Sequence, residues 1–588
     1  MPKEEQNQSI SGRPAKTSAR GGSALGRKTK SKPASKPVAK KISAKKINIE
    51  KKPAKKKDIS FKLYILLAAL IVLGALFLRT YKLSTLPPGV YPDEAVNGID
   101  AITANASHHW QLFYTNNNGR EGLFMNLWAL GFSLFGISII TVKMWSVLFG
   151  TLTVLGMIFL GEELLQSRRA GLIAGFLTAT SFWAINFSRI GFRAIMLPFV
   201  LVFSIFFLIR GIQKKKIVDY VYAGLFFGLG LHTYIAFRIA PIILVVLLLA
   251  FIVSRKRFFQ THWKEILAFV AATIIIALPM LADFAMHPDH FSGRTSQVSV
   301  FNPEVNQGHL IATLGKTFGL SLAQYNFFGD QNWRHNLPPW PEIFPTIGIF
   351  FLAGFIYFIY EFFWLIWRRI RAGERSERLI LVSLLLAWFF AMLLPEAISA
   401  EGLPHALRAI GTMPVALLLA AFSLEAVFKW VEREKYAKYK EAVWTLLIVL
   451  IVGSGIWTVR MYFVDWGGSP DVHGAFDEKY LNMSSYINSL PASMPKYIVD
   501  NGPGIKMEDG LQTSSEVIKL FTYGKADNVK FIEPDFDPVT IKTPSKIFLM
   551  NADDGYINYL RQTFPAIRVE KIDVREGMDA GFTMIDVK

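Results

Sequence analysis

The 588-residue chain contains no cysteine. Disulfides, thiolate metal sites and cysteine nucleophiles are therefore excluded, and compartment redox leaves no mark on the sequence. It also has no Walker loop and no dinucleotide fingerprint following a strand, so nucleotide chemistry has no cradle. Charge is scarce where the chain is most apolar. Charged residues make up 19% of the chain against 52% hydrophobic, and the mean hydropathy is +0.32. Repeated apolar runs of about 20 residues exclude a soluble enzyme and place the chain among polytopic membrane proteins. Acidic and large apolar residues are both sparse up to Lys57, where 18 Lys or Arg face three Glu, so most of the net charge of +19 belongs to this tail. Residues 1–58 cannot bury enough surface to fold. They are expected to form a disordered, basic, cytoplasmic tail against anionic lipid, with nucleic acid or ribosome contact the weaker option. No cleavable signal peptide is read ahead of the first apolar run, which is expected to serve as the anchor.

Candidate spans are Phe61–Leu78, Val142–Leu160, Ala170–Phe187, Ala194–Ile209, Val218–Ile235, Ile239–Val253, Ile266–Phe284, Ile343–Trp367, Leu379–Leu394, Ala409–Phe428 and Val443–Met461. Basic clusters at Arg168-Arg169, Lys214–Lys216, Arg255–Arg257, Arg368–Arg378 and Lys429–Lys440 fall at every second connection, which assigns them to the cytoplasm. The alternation then closes only if Leu123–Phe135 does not cross. Its short length suits a juxtamembrane or re-entrant helix. The fold class is thus a mainly α polytopic membrane protein with about 11 transmembrane helices, N-terminus inside and C-terminus outside. The predicted divisions are a tail 1–58, a membrane domain 59–462 with outer loops 80–141 and 285–342, and an extracytoplasmic α/β domain 463–588. In that last domain Lys496–Asp500, Lys546–Asn551 and Phe582–Val587 read as strands, and Ser485–Leu490, Ser514–Thr522 and Gly555–Phe564 as helical segments. Asp500–Gly504 and Asn551–Gly555 are turn sequences at strand ends, with ligand binding the less favoured use.

Polar residues collect on the outer side. The stretch Tyr81–Glu121 carries Asp93 and Glu94 side by side and Glu121 next to Arg120. Acids after Pro92 suit a helix start, with Asp93 as cap and Glu94 favoured by the helix dipole, as well as they suit catalysis. Arg189, Arg193, Arg238 and Arg408 stand at outer boundaries. Each alone reads as snorkelling at the headgroups. Together, opposite loop carboxylates, they suit a bidentate grip on phosphate at the membrane surface. The 285–342 loop holds Asp330, Asn332, Arg334 and His335 beside Phe327, Phe328 and Trp340. Rings beside hydrogen-bonding groups suit sugar faces, and a structured lid is the equal alternative. His108-His109, His232 and His287-Pro288-Asp289-His290 offer outer-side metal ligands without convincing spacing. No cofactor is assigned with certainty; a divalent metal is the possible one.

The ordered series Pro92-Asp93-Glu94, Gly119-Arg-Glu-Gly-Leu-Phe124, Ser188-Arg-Ile-Gly-Phe-Arg193, Gly230-Leu-His-Thr-Tyr-Ile-Ala-Phe-Arg238, Gly329-Asp-Gln-Asn-Trp-Arg-His-Asn-Leu-Pro338 and Pro404-His-Ala-Leu-Arg408 resembles the bacterial relatives of protein O-mannosyltransferases and lipid A aminoarabinose transferases. These are C-type membrane glycosyltransferases with eleven to thirteen spans and two large outer loops, and they use polyprenyl-phosphate sugars. The resemblance covers about Phe61 to Gly468. It implies Asp93 as the base that takes the acceptor's proton, Glu94 as a supporting acid, and Glu121 as the group orienting the acceptor or a metal. It also implies Arg120, Arg189, Arg193, Arg238, His405 and Arg408 around the carrier phosphate. Tyr234 and the Asp330–His335 group then fall to the acceptor and loop. Many relatives have Pro where this chain has Gly122, which puts the local backbone there in question.

The expected activity is inverting transfer of a monosaccharide from a polyprenyl-phosphate carrier to an acceptor hydroxyl on the outer face of the cytoplasmic membrane. The acceptor is a protein, glycan or lipid. A transporter or flippase of lipid-linked sugars is the alternative; it calls for ionisable residues near mid-membrane and paired broken helices. A scaffold presenting the C-terminal domain is a third reading that leaves the loop acids and arginines without a role. A topology reporter fused after Met461 should read as extracytoplasmic; a cytoplasmic signal would break the parity argument.

Overall fold

The computed structural model describes residues 59–588 except residue 298. The basic tail lies outside the described residues.

Helices α1 (Phe61–Thr80), α2 (Pro92–Ser107), α3 (Leu123–Phe135), α4 (Ile139–Leu165), α5 (Arg168–Thr180), α6 (Phe182–Phe187), α7 (Met196–Lys214), α8 (Ile217–Leu229), α9 (Pro241–Ser254) and α10 (Phe258–Met286) build the first half of the bundle. The long second loop then runs through α11 (Pro288–Gln297), α12 (Pro303–Asn306) and α13 (Leu310–Ala323). The bundle closes with α14 (Pro345–Ala372), α15 (Arg378–Ala397), α16 (Met413–Val431) and α17 (Lys440–Arg460). Among the described residues nine helices are long and apolar enough to cross a membrane. Leu66, Ile275, Ile349 and Ile456 each expose more than half their surface on these helices, a belt that only lipid covers without penalty. The chain is a multi-pass membrane protein.

Nine continuous spans fall short of the eleven expected, and the two missing ones are interrupted rather than absent. Ala170–Phe187 breaks at Ser181 into α5 and α6, and Val218–Ile235 becomes α8 followed by a 3-10 turn at Gly230–His232. A break inside a bilayer frees carbonyls that no water can reach. Here each is claimed: Leu177 O by the Ser181 amide at 2.9 Å, Thr178 O and Ala179 O by the Arg79 guanidinium at 3.3 and 3.2 Å, and Thr180 O by the Thr458 hydroxyl at 2.9 Å. Helix α3, at 13 residues, is about 20 Å long. It packs Phe124, Met125 and Trp128 inward.

The C-terminal part is α/β. Helices α18 (Pro470–Ala475), α19 (Glu478–Ser489), α20 (Ser515–Thr522) and α21 (Asp554–Thr563) accompany a five-stranded sheet. Two strands of the outer loop come first in the chain, β1 (Phe113–Tyr114) and β2 (Arg120–Glu121), paired antiparallel. The sheet comprises β3 (Lys496–Val499), β4 (Val529–Ile532), β5 (Ser545–Leu549), β6 (Arg568–Ile572) and β7 (Phe582–Val587), in the order β4-β3-β5-β7-β6. The two outer strands, β4 and β6, are absent from the sequence reading. Each carries exposed or half-exposed positions with no continuous apolar face, as befits a sheet edge. Of the two expected turns, Asn551–Gly555 runs into the start of α21 at Asp554; Asn501 and Asn551 tie the two strand ends together, bonding each other's backbone at 2.7 to 3.0 Å.

One core joins this part to the first outer loop. Ala101 of α2 and Trp128 of α3 share a cluster with Met483, Val517, Phe521, Ile498 and Met584. At Gly89, a Cβ would lie 2.1 Å from the Phe476 carbonyl oxygen, so the loop and the C-terminal arm touch backbone to backbone. Gly89→Ala should cost about 1–3 kcal/mol. The checks are the melting temperature in detergent and the rate of proteolysis between the bundle and the α/β part. An unchanged melt would mean that the arm gives way freely.

Candidate active site

Pro92 opens α2 at a position where a missing N–H costs nothing, and this sets the two neighbouring acids on different paths. Glu94, not Asp93, closes the helix end. Its Oε2 accepts the Tyr91 amide at 2.9 Å, and its Oε1 accepts the Gly191 amide. Both oxygens are thus committed to backbone. Burial pushes the Glu94 carboxyl up, against the pull of Lys143 and the two amides. Gly191 is required for this contact, since a Cβ there would sit 2.6 Å from Trp128 and 2.8 Å from Glu94 Oε1. Asp93 instead turns to a cavity, and its Oδ1 accepts from Asn117 Nδ2 at 2.6 Å. Asn117 holds φ +49°, a left-handed backbone that Asn tolerates better than most residues.

The cavity measures about 440 Å³. Asp93 and Tyr91 line it from the first loop, Asp330, Asn332, Arg334 and His335 from the second, and His405 and Arg408 from the segment after α15. A second cavity of about 300 Å³ adjoins it, sharing His405, Leu407 and Arg408, with walls from Tyr234, Ile235, Ile239, Phe291, Pro395 and Ile398. Arg408 donates to Ser399 Oγ at 2.5 Å and to the Glu401 carbonyl and carboxylate at 2.6 and 3.0 Å. The Glu401 partner is mostly exposed, so this pairing is weakly held.

Three other arginines are spent elsewhere. Arg189 gives three 2.7 Å hydrogen bonds to the carbonyls of Leu78, Tyr81 and Leu86, and its guanidinium lies over Tyr462 and Phe463. Arg120 bonds Asn97 and pairs with Asp100 at 2.6 Å. Neither of these two expected phosphate-binding arginines lines either cavity. Arg193 is likewise buried, its Nε 3.2 Å from Glu121 Oε2. Arg238 reaches Glu121 Oε1 at 2.7 Å and also lines the second cavity. Glu121 is therefore clamped by two guanidiniums rather than open to an acceptor. Burial would raise its carboxyl, but Arg193 and Arg238 outweigh that and hold it below the ordinary value.

The second loop is wired from beneath. Asn186 of α6 bonds the carbonyls of Arg334 and His335, both at 2.9 Å. Asp330 Oδ1 accepts the Asn332 amide at 2.8 Å and Oδ2 the Ala406 amide at 2.9 Å. Glu342 Oε1 accepts the Asp330 amide at 2.9 Å, and Glu396 Oε1 the His405 amide at 2.8 Å. Asn117, Glu342 and Glu396 escape the sequence reading: Asn117 sits in an Asn run that signals only a turn, and the two acids border apolar spans. Of the histidines, His232 bonds the Ile276 carbonyl at 2.9 Å. Two groups have metal-ligand spacing among the described residues, Asp330–His335–His405 and Asp283–His287–His290. The second enlists Asp283 in place of the expected Asp289.

Residues 123–282 match the family described as dolichyl-phosphate-mannose-protein mannosyltransferase. Over that segment the chain is similar to this family. No curated protein matches it. The oligosaccharyltransferase AglB of Archaeoglobus fulgidus, solved with an inhibitory peptide and a dolichol-phosphate, is 15% identical with a TM-score of 0.48; the match covers 79% of this chain and 64% of that one. The chain thus spans under two thirds of the archaeal enzyme. ArnT of Cupriavidus metallidurans bound to undecaprenyl phosphate is 13% identical with a TM-score of 0.47, covering 90% of this chain and 98% of that one.

Removing the Glu121 charge leaves two buried cations facing each other. Glu121→Gln should destabilise the protein by about 3–5 kcal/mol at neutral pH. Because the wild-type carboxyl is depressed, its contribution is complete above its ordinary pKa of 4.5 and is lost as pH falls through the lower folded value. Melting curves of both proteins from pH 7 to 3 should converge in acid.

Proposed function

We propose that the chain transfers a monosaccharide, with inversion, from a polyprenyl-phosphate donor to an acceptor hydroxyl at the outer face of the cytoplasmic membrane. The observation that carries this reading is the shared wall. Asp93 and Arg408 face one polar cavity, and through His405, Leu407 and Arg408 that cavity joins a second one with more apolar walls. The carrier's first isoprene units would occupy the apolar side, with its phosphate at His405 and Arg408 and the sugar reaching toward Asp93.

In this reading the acceptor hydroxyl approaches the sugar's anomeric carbon from the Asp93 side. The Asp93 carboxylate takes the hydroxyl proton as the new C–O bond forms. The bond between the anomeric carbon and the phosphate oxygen breaks, its electron pair stays on the carrier phosphate, and Arg408 balances the added charge. A single displacement by one base needs no covalent enzyme intermediate. Asn117 holds one Asp93 oxygen at 2.6 Å, leaving the second to receive the proton. Arg238 also faces the second cavity, and its pairing with Glu121 makes it a wall of fixed charge.

Asp93→Asn should lower transfer about 10²–10⁴-fold while leaving donor affinity within about twofold, measured with purified protein and a panel of radiolabelled polyprenyl-phosphate sugars. Arg408→Ala should instead raise the donor KM. Near-normal turnover by the Asp93 variant would refute the assignment of the base.

A further inference from the structure

Asp330, His335 and His405 meet on the wall of the polar cavity. Each offers one ligand atom, and the three atoms lie within 4.8 Å of one another. His335 Nδ1 is 2.7 Å from Asp330 Oδ2, and His405 Nδ1 is 3.8 Å from the same oxygen. A tetrahedral ion with bonds near 2.0–2.2 Å holds its ligand atoms roughly 3.4 Å apart. The two distances straddle that value, so a small opening on one side and closing on the other would seat an ion.

The surroundings favour a cation. The carboxylates of Asp330, Glu342 and Glu396 are all buried, at 2%, 4% and 0% exposure. They are linked through backbone: Glu342 accepts the Asp330 amide and Glu396 accepts the His405 amide. Among the described residues, the ion pairs of Asp330 are with His335 and His405, and neither Glu342 nor Glu396 pairs with Lys or Arg. The ligands are also held in place: Asn186 pins the His335 carbonyl at 2.9 Å, Phe187 stacks under the His335 ring at 5.6 Å, and both Asp330 oxygens are aligned by amides.

We propose that Asp330, His335 and His405 form a divalent cation site, two imidazoles and one carboxylate, opening into the cavity that Asp93 lines. Two imidazoles beside one carboxylate suit a borderline first-row ion such as Zn²⁺, with the harder Mn²⁺ second, rather than Ca²⁺. Three protein ligands leave a coordination position toward the cavity, the arrangement of a site that meets substrate. The proposal concerns ion binding and stands apart from the assignment of the base.

The test uses the full chain in detergent, stripped with chelator, dialysed against Zn²⁺ or Mn²⁺ and analysed for bound metal. Co²⁺ replacement provides a visible spectrum of the ligand field. One ion per chain is expected, with affinity falling at least tenfold in His335→Ala and in His405→Ala, and with the metal-induced rise in melting temperature lost in both. The double variant His287→Ala/His290→Ala should keep the ion. His405 lies at the cavity rim, so its variant serves if His335→Ala fails to fold. Less than a tenth of an ion per chain, or binding unchanged by His405→Ala, or binding abolished only by the His287/His290 variant, would overturn the proposal.

Discussion

A buried backbone carbonyl freed by a helix break has to find a donor within the protein, and this requirement organises the molecule around α1, α5 and α6. The chain breaks the helix after Thr180, and Arg79 reaches from α1 to bond Thr178 O and Ala179 O. In return Arg189, just beyond α6, bonds three carbonyls at and after the end of α1. Arg79 thus satisfies the end of α5, and Arg189 the end of α1. The segment Ser188–Arg193 between them is consequently fixed, and from it Gly191 presents its amide to Glu94 and Arg193 its guanidinium to Glu121. The first outer loop is held against the bundle by these two bonds.

The same economy sorts the charged residues. Arg189 commits both terminal nitrogens of its guanidinium to three backbone carbonyls and lines neither cavity. Arg193 and Arg238 hold Glu121 between them, and taking either away for a ligand would strand a buried charge. Arg408 differs because its carboxylate partner is exposed, so a phosphate competes for it at little cost. The loop acids divide in the same way: Glu94 and Glu121 are consumed by amides and guanidiniums, whereas Asp93 keeps one oxygen outside its bond to Asn117.

Hydropathy and alternating basic clusters made the bundle legible, because a span is long and its signal adds up over many residues. The break at Ser181 was not, since it depends on Arg79, a residue about a hundred positions away that reads in sequence as an ordinary helix-end cation. The strands β4 and β6 were missed for the converse reason: an edge strand has little apolar pattern to show. Within the site, the convergence of Asp93, Asp330, His335, His405 and Arg408 on one cavity was legible as a set of outer-side polar motifs. Their separation from Arg120, Arg189 and Glu94 was not, because whether an arginine faces carbonyl or cavity is set by packing a motif does not contain.

The placement of Asp93 depends further on the C-terminal part. Tyr91, one residue before the proline that opens α2, meets three distant segments. The Arg334 guanidinium from the second loop lies 5.0 Å over its ring, Phe476 from the C-terminal arm meets its edge at 6.3 Å, and Phe192 stacks on it at 5.7 Å. Arg334 also donates to the Ala475 carbonyl at 2.8 Å, tying loop to arm. Nearby Asp477 is buried enough to be pushed up to about 7, against Arg334 and Lys479. A raised carboxyl of this kind favours the folded state below its ordinary value of 3.8 and loses that contribution as pH rises through about 7. Since the α/β part shares a core with α2, the distance between the Asp93 carboxylate and the His405–Arg408 wall is set jointly by the bundle and the C-terminal part. Catalytic distances tolerate errors of only about 1 Å, and this gives a physical reason for packing the C-terminal part against α2 rather than tethering it by a linker.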